Sequence, residues 1–379
     1  MKISAVGVKV AALPNSYGRG IPPRLKLGVL SIETDEGTSG ETFVSGPGAS
    51  PEVVGQQIAS VVRPILLGGN PLDIGRIWHA LEARSRALDN TVQGYVDVAL
   101  WDIAGKVAGL PIHRLLGNVR TTVPAYVSSW HHSTPEEYAE EALAYREQGI
   151  GAYKLHPPSC GRVFGEEVRG VTLDIAACSA VRHALGPEAP LFLDAAFSYS
   201  YQQAIRVGKT IEELDYLWYE DPLPAHDLHG YTRLKPHLHI PILATEVTVG
   251  GPHALPVWII SGATDYLRDD VVIKGGITGL IKIAHLAEAF GMNCEIHDAY
   301  NALNNVASLH VAAAIKNCEW FEILTPHPEG QYNFDHLNMG LAEPFVIDGE
   351  GRGVVPDRPG LGVEIDWDRL RAAGLQEIS

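Results

Sequence analysis

Between residues 152 and 322 the chain carries seven short apolar runs: 152-AYKLH-156, 190-PLFLD-194, 217-LWYE-220, 242-ILATE-246, 265-DYLRDD-270, 293-NCEIH-297 and 319-EWFE-322. Each closes on a side chain able to do acid–base or metal chemistry. Helix-like segments separate the runs. Short apolar strands alternating with helices describe a parallel barrel, whose strand C-termini converge on one face. With 121-TTVPAYVSSW-130 as the first strand, eight strands and seven intervening helices make a (β/α)7β barrel of the TIM type.

Outside that stretch the rhythm changes. From residue 1 to about 44 the pattern is close to period two, with Ile3, Val6, Val8 and Val10, then LKLGVLSIET, a turn at Asp35-Glu36-Gly37, and TSGETFV. This reads as a three-stranded antiparallel meander. Residues 51–67 and 90–116 have helical spacing, with Val96, Ala99, Leu100, Ile103 and Val107 in one stripe. The expected fold is therefore α/β, a modified barrel with an α+β N-terminal domain. Its divisions are residues 1–118, a barrel at 119–323, and a segment 324–379 that returns to the first domain. Thr134-Pro135-Glu136-Glu137 starts a helix, with Thr as N-cap. Further helices are expected at 171–185, 200–214, 226–236, 253–261, 277–290 and 301–315. Loops at 15–24 and 46–50 are placed to close over the barrel mouth.

The 379 residues suffice for a barrel and a smaller domain. With 45 acidic against 29 basic residues and no basic run, a nucleic-acid partner is not expected. Cys160, Cys178, Cys294 and Cys318 lack C-x-x-C spacing, which favours reduced core thiols and a cytoplasmic protein. No apolar run reaches the roughly 18 residues of a membrane span, so no membrane partner is expected.

Asp194, Glu220 and Glu246 end successive runs with a gap of 26 each time (220 − 194 and 246 − 220). Three carboxylates on neighbouring strands, without His or Cys, suit Mg²⁺ better than Zn²⁺. Lys154 and His156 lie two apart and so point the same way on a strand. The lysine would neutralise substrate charge, and the imidazole titrates in the range of an acid or base. Asp270 and His297 end adjacent strands, where a carboxylate can hold one imidazole nitrogen while the other faces substrate. His237 and His239 precede their strand and belong to the opposite, stability face.

The order K-L-H, D-A-A, Y-E-D-P, A-T-E, Asp270 followed by Gly275-Gly276-Ile277-Thr278, then His297 and W-F-E resembles the enolase superfamily, mandelate racemase subgroup. So does the helix 99-ALWDIAGKVAGLPIHRLLG-117, which looks like that family's capping-domain segment. The resemblance implies one Mg²⁺ on Asp194, Glu220 and Glu246, a base pair at Asp270 and His297, and a protonated electrophilic acid at Glu322. The chain departs from the pattern at His156, where many relatives have a second lysine. It departs again at Ala196, where an amide is usual, and at Asp221, a shorter carboxylate than the usual Glu. The implied chemistry is abstraction of the proton α to a carboxylate in a small-molecule substrate, with acid-sugar dehydration the expected outcome. A racemase or epimerase, a cycloisomerase, a metal-dependent hydrolase and a non-catalytic carboxylate-binding barrel are the alternatives. A homo-oligomer is expected.

Overall fold

The computed structural model describes residues 1–14, 24–45, 50–162, 171–325, 332 and 334–378. The loops expected at 15–24 and 46–50 lie, apart from Arg24 and Ser50, outside the described residues. Strands β1 (Ile3–Pro14), β2 (Arg24–Thr34) and β3 (Ser39–Val44) form the meander. They bury Val6, Val8, Leu30 and Ile32 on one face, and β2 and β3 pack on the helix Asn90–Ala108.

Eight parallel strands close the barrel: β4 (Thr122–Ser128), β5 (Ala152–Leu155), β6 (Leu191–Asp194), β7 (Trp218–Glu220), β8 (Ile242–Ala244), β9 (Tyr266–Asp269), β10 (Cys294–Ile296) and β11 (Phe321–Leu324), with β11 pairing back onto β4. In the C-terminal segment, β12 (Arg352–Val354) pairs antiparallel with the first half of β4, and β13 (Gln376–Glu377) adds a fourth strand beside β1. Among the described residues no helix is long and apolar enough to cross a membrane.

The expected barrel helices form within a few residues of their expected ends. Thr134 accepts from the Glu137 amide while Glu137 reaches back to the Thr134 amide, a reciprocal cap. Two readings of the N-terminal domain are corrected. Val107 is 42% exposed and leaves the buried stripe, because the helix turns its last polar turn outward and ends at Gly109 in a left-handed conformation. A helix at Ile74–Glu82 was also unanticipated. Its spacing of Ile74, Ile77, Trp78 and Leu81, all buried, is the helical i, i+3, i+4, i+7 signature.

Two contacts join the first domain to the barrel and bear on the site. Gly94 lies so close to the loop after β9 that a Cβ there would sit 2.2 Å from the Val272 carbonyl oxygen. That approach fixes the segment following Asp270. At the second contact, His113 on the short helix Ile112–Leu115 stacks on His310 of the helix Ala302–Ala314, centroids 5.3 Å apart. His310 Nε2 lies 3.0 Å from the Leu361 carbonyl and must donate to it; Nδ1 then accepts from the His113 backbone N–H at 3.2 Å. The ring is therefore neutral, and burial depresses its pKa to about 3, with His113 also lowered. An unfolded chain protonates both near pH 6.5, so this contribution is present above that value and is lost as pH falls toward 3. We expect the unfolding free energy to fall below pH 6.5 with a slope of up to about 1.4 kcal/mol per pH unit from His310. His310→Gln should flatten that slope; an unchanged slope in urea titrations across pH would refute it.

Candidate active site

The barrel floor is apolar. Tyr126, Phe192, Trp218 and Leu243 are fully or almost fully buried in its lower half, with Tyr266 and Trp320 packed on them and Phe192 stacked 3.8 Å from Trp218. This plug keeps water from beneath, so charges in the layer above act through a low dielectric. Period-two alternation then brings the next inward residue of each strand into that layer. Asp194 and Glu220 are register partners on β6 and β7, as the repeat of the apolar runs suggests.

In that layer four buried groups form a closed ring of alternating charge. Lys154 Nζ lies 2.9 Å from Glu220 Oε2 and 2.7 Å from Glu322 Oε1. Arg268 Nε lies 2.8 Å from Glu220 Oε1, and Arg268 Nη2 binds Glu322 Oε2. Each carboxylate thus gives one oxygen to the lysine and one to the arginine. Arg268 is a site residue that the strand-end pattern does not mark, because it lies inside the run 265-DYLRDD-270 and not at its end. An arginine two positions before Asp270, inside an apolar run and on the same strand face, was the available signal.

The ring bears on the role expected of Glu322. Although burial opposes ionisation, Arg268 and Lys154 together hold the Glu322 pKa well below the usual carboxylate range. Glu220 behaves oppositely. Burial, with Asp194 close by, raises its pKa despite the same two cations.

Asp194 Oδ2 turns to His156 Nε2 at 2.9 Å and to Lys154 Nζ at 3.4 Å, while Oδ1 accepts from the Ala196 amide at 2.8 Å. Burial works against its charge, but Lys154 and His156 more than offset this and hold it low. His156 Nδ1 lies 2.7 Å from the Ser129 carbonyl oxygen, an acceptor only. Both ring nitrogens of His156 therefore face acceptors. The ring is an imidazolium in this arrangement, and its pKa is raised because Asp194 outweighs burial.

Glu246 lies beyond β8, and the compact oxygen cluster is Glu220, Asp221 and Glu246, whose nearest carboxylate oxygens all lie within 4.8 Å of one another. Asp194 adjoins this cluster through Lys154 and is not part of it. Asp221 Oδ2 is buried without a hydrogen-bond partner, and burial followed by the charges of Glu246, Asp194 and Glu220 raises its pKa well above normal. Crowded hard oxygens with one unpartnered atom fit a hard divalent cation.

Asp270 and His297 meet as expected. Asp270 Oδ2 is 3.1 Å from His297 Nδ1, while Oδ1 accepts the amides of Val272 and Ile273 at 2.6 and 2.8 Å. The Gly275-Gly276 pair takes left-handed angles, φ 79° and 89°, and Thr278 beyond it is tied to Asp97 of the first domain through its amide and hydroxyl. His297 Nε2 faces Glu246 Oε1 at 3.4 Å. Burial disfavours the imidazolium, but Glu246 and the Asp270 hydrogen bond push its pKa up to about 9.

Among the described residues seven non-glycine residues have positive φ, and five flank these groups: Ala196 and Phe197 after Asp194, Asp221 after Glu220, Thr245 before Glu246, and Tyr300 after His297. Such strain costs on the order of 1–3 kcal/mol each and concentrates where a site demands it.

Residues 2–117 match the mandelate racemase/muconate lactonizing enzyme N-terminal domain, and residues 137–369 the enolase C-terminal domain-like family. The chain belongs to the mandelate racemase/muconate lactonizing enzyme family. It is 31% identical to the L-talarate/galactarate dehydratase of Salmonella typhimurium over 355 residues, 90% of this chain and 81% of that protein. It is 29% identical to the arabinonate dehydratase of Saccharolobus solfataricus, covering 90% and 88%. A D-glucarate dehydratase from Agrobacterium tumefaciens complexed with magnesium superposes over all of both chains, with a TM-score of 0.88 and 33% identity. Membership makes this protein an enzyme of the lyase and isomerase chemistries that the family contains.

Proposed function

We propose that the protein is a Mg²⁺-dependent dehydratase that converts an acid sugar to a 2-keto-3-deoxy acid. The observation that carries this reading is His297, oriented by Asp270 and facing the carboxylate cluster. Glu220 and Glu246 would hold the ion, with Asp194, the register partner of Glu220, as the third ligand that the family resemblance implies and the unpartnered Asp221 as its rival. A bound divalent cation would stabilise charge developing on the substrate carboxylate and, by neutralising Glu246, bring His297 toward the range of a working base.

The protein groups account for the proton movements. His297 takes the proton from the α carbon through Nε2, and Asp270 stabilises the resulting imidazolium. Lys154, held between Glu220 and Glu322, turns its positive charge to the substrate carboxylate. Arg268, beside it in the ring, keeps Glu322 charged, so Glu322 orients the lysine instead of donating a proton. The β C–O bond then breaks, His156 supplies a proton to the leaving hydroxyl, and the enol product tautomerises to the keto acid. His156 suits that role because both its nitrogens already carry hydrogen toward acceptors.

A second reading, racemisation or epimerisation, is favoured by the two imidazoles on β5 and β10 sides of the mouth, one to remove and one to return a proton. A screen of acid sugars with Mg²⁺ in deuterated buffer separates the readings. Loss of water with a keto product supports dehydration, and α-deuterated epimer supports the second; hydrolysis without α exchange would refute both. In the same assay Asp270→Asn should slow α exchange by about 10²–10⁴-fold, because His297 loses its tautomer and its basicity. Wild-type exchange in that variant would uncouple the pair.

A further inference from the structure

We propose that Tyr300 is a substrate-binding residue that hydrogen-bonds a hydroxyl on the carbon chain of the acid, a role that rests on the dehydratase reading above. Tyr300 holds a left-handed conformation, φ 65°, that an aromatic residue rarely adopts. Its neighbours enforce it. Asp298 binds the Tyr300 amide through Oδ1 at 2.7 Å and Asn305 Nδ2 through Oδ2 at 2.8 Å, while its own amide donates to Glu322 at 2.8 Å. On the other side Asn301 caps the helix Ala302–Ala314 by accepting the Asn304 amide.

The result places the phenol at one spot. Its ring lies 5.0 Å from the His297 ring, and its hydroxyl is 3.3 Å from Glu246 Oε1. Lys154, Glu220, Arg268 and Glu322 are fully or almost fully buried, whereas Tyr300 is partly open to solvent. It therefore borders both the base and a carboxylate in the cation cluster from a more open position than the buried ring. An acid whose α carbon meets His297 Nε2 extends its remaining carbons past this hydroxyl. A phenol both donates and accepts, so it can give its proton to Glu246 while accepting from a sugar hydroxyl. The chemistry selected is a polyhydroxylated acid over an unsubstituted one.

Tyr300→Phe keeps the ring against His297 and removes only the hydroxyl. Turnover is compared for a hydroxylated acid substrate and its singly deoxygenated analogues, in wild type and variant, all with Mg²⁺. The expected result is a loss of about 10- to 100-fold in kcat/KM on the hydroxylated acid, and little further loss on the one analogue that lacks the contacted hydroxyl. An equal loss on every analogue would make Tyr300 only a prop for His297 and overturn the proposal, as would no loss on any. Failure of the parent reading has a different signature: wild type itself then exchanges no α proton on any acid, and this proposal falls with it.

Discussion

Glu220→Gln is expected to lower turnover by at least about 10²–10³-fold, the cost of removing one preorganised electrostatic group from a catalytic centre, and to weaken Mg²⁺ binding in calorimetry. Two consequences combine. A neutral amide replaces an oxygen anion in the crowded Glu220, Asp221 and Glu246 cluster, and Lys154 and Arg268 lose the partner that both share. The fold should survive, since Gln keeps the shape and its amide oxygen can still accept from one of the two cations. The same titration assigns the third ligand. Asp194→Asn should weaken Mg²⁺ binding while Asp221→Asn leaves it nearly intact; the reverse order would make the unpartnered Asp221 the ligand. Turnover by Glu220→Gln at the wild-type rate, or turnover persisting after exhaustive chelation, would end the metal assignment.

Arg268→Met is expected to destabilise the protein by about 3–5 kcal/mol, among the largest effects a single substitution here can have, because it leaves two buried carboxylates to share one remaining cation, Lys154. Methionine fills much of the space, so the loss is electrostatic and not a cavity. Urea unfolding should give a lower midpoint with an unchanged slope. Adding Glu322→Gln removes one of the two carboxylate charges and should recover part of the loss, a coupling that a double-mutant cycle measures directly. A loss below about 1 kcal/mol would mean that the ring contributes no net stability and that water reaches it.

These effects reside at the level of the fold that sequence reading reaches least well. The barrel was legible because eight apolar runs separated by helical spacing repeat a local signal, and local signals survive without an alignment. The Asp270 and His297 pair was legible once the barrel register put their strands side by side. Tyr300 and Arg268 were missed for different reasons. Tyr300 follows its strand by a loop whose turn depends on Asp298 and Asn305, residues with no distinctive spacing. Arg268 lies inside a run, and its partners Glu220 and Glu322 come from strands far away in the chain.

What residue order alone determined is the set of strands, their sequence around the barrel and the face to which each reactive side chain points, because period-two alternation and strand length are properties of the local chain. Which oxygen meets which cation was decided by the tertiary structure. Whether Glu322 is charged depends on Arg268 arriving from β9, 54 residues away in the chain, and on Lys154 arriving from β5. Whether Asp194 or Asp221 joins Glu220 and Glu246 depends on a φ of 40° at Asp221 and on His156 drawing Asp194 aside. Burial sets the strength of every one of these pairings, and burial exists only after the eight strands have closed over their aromatic floor.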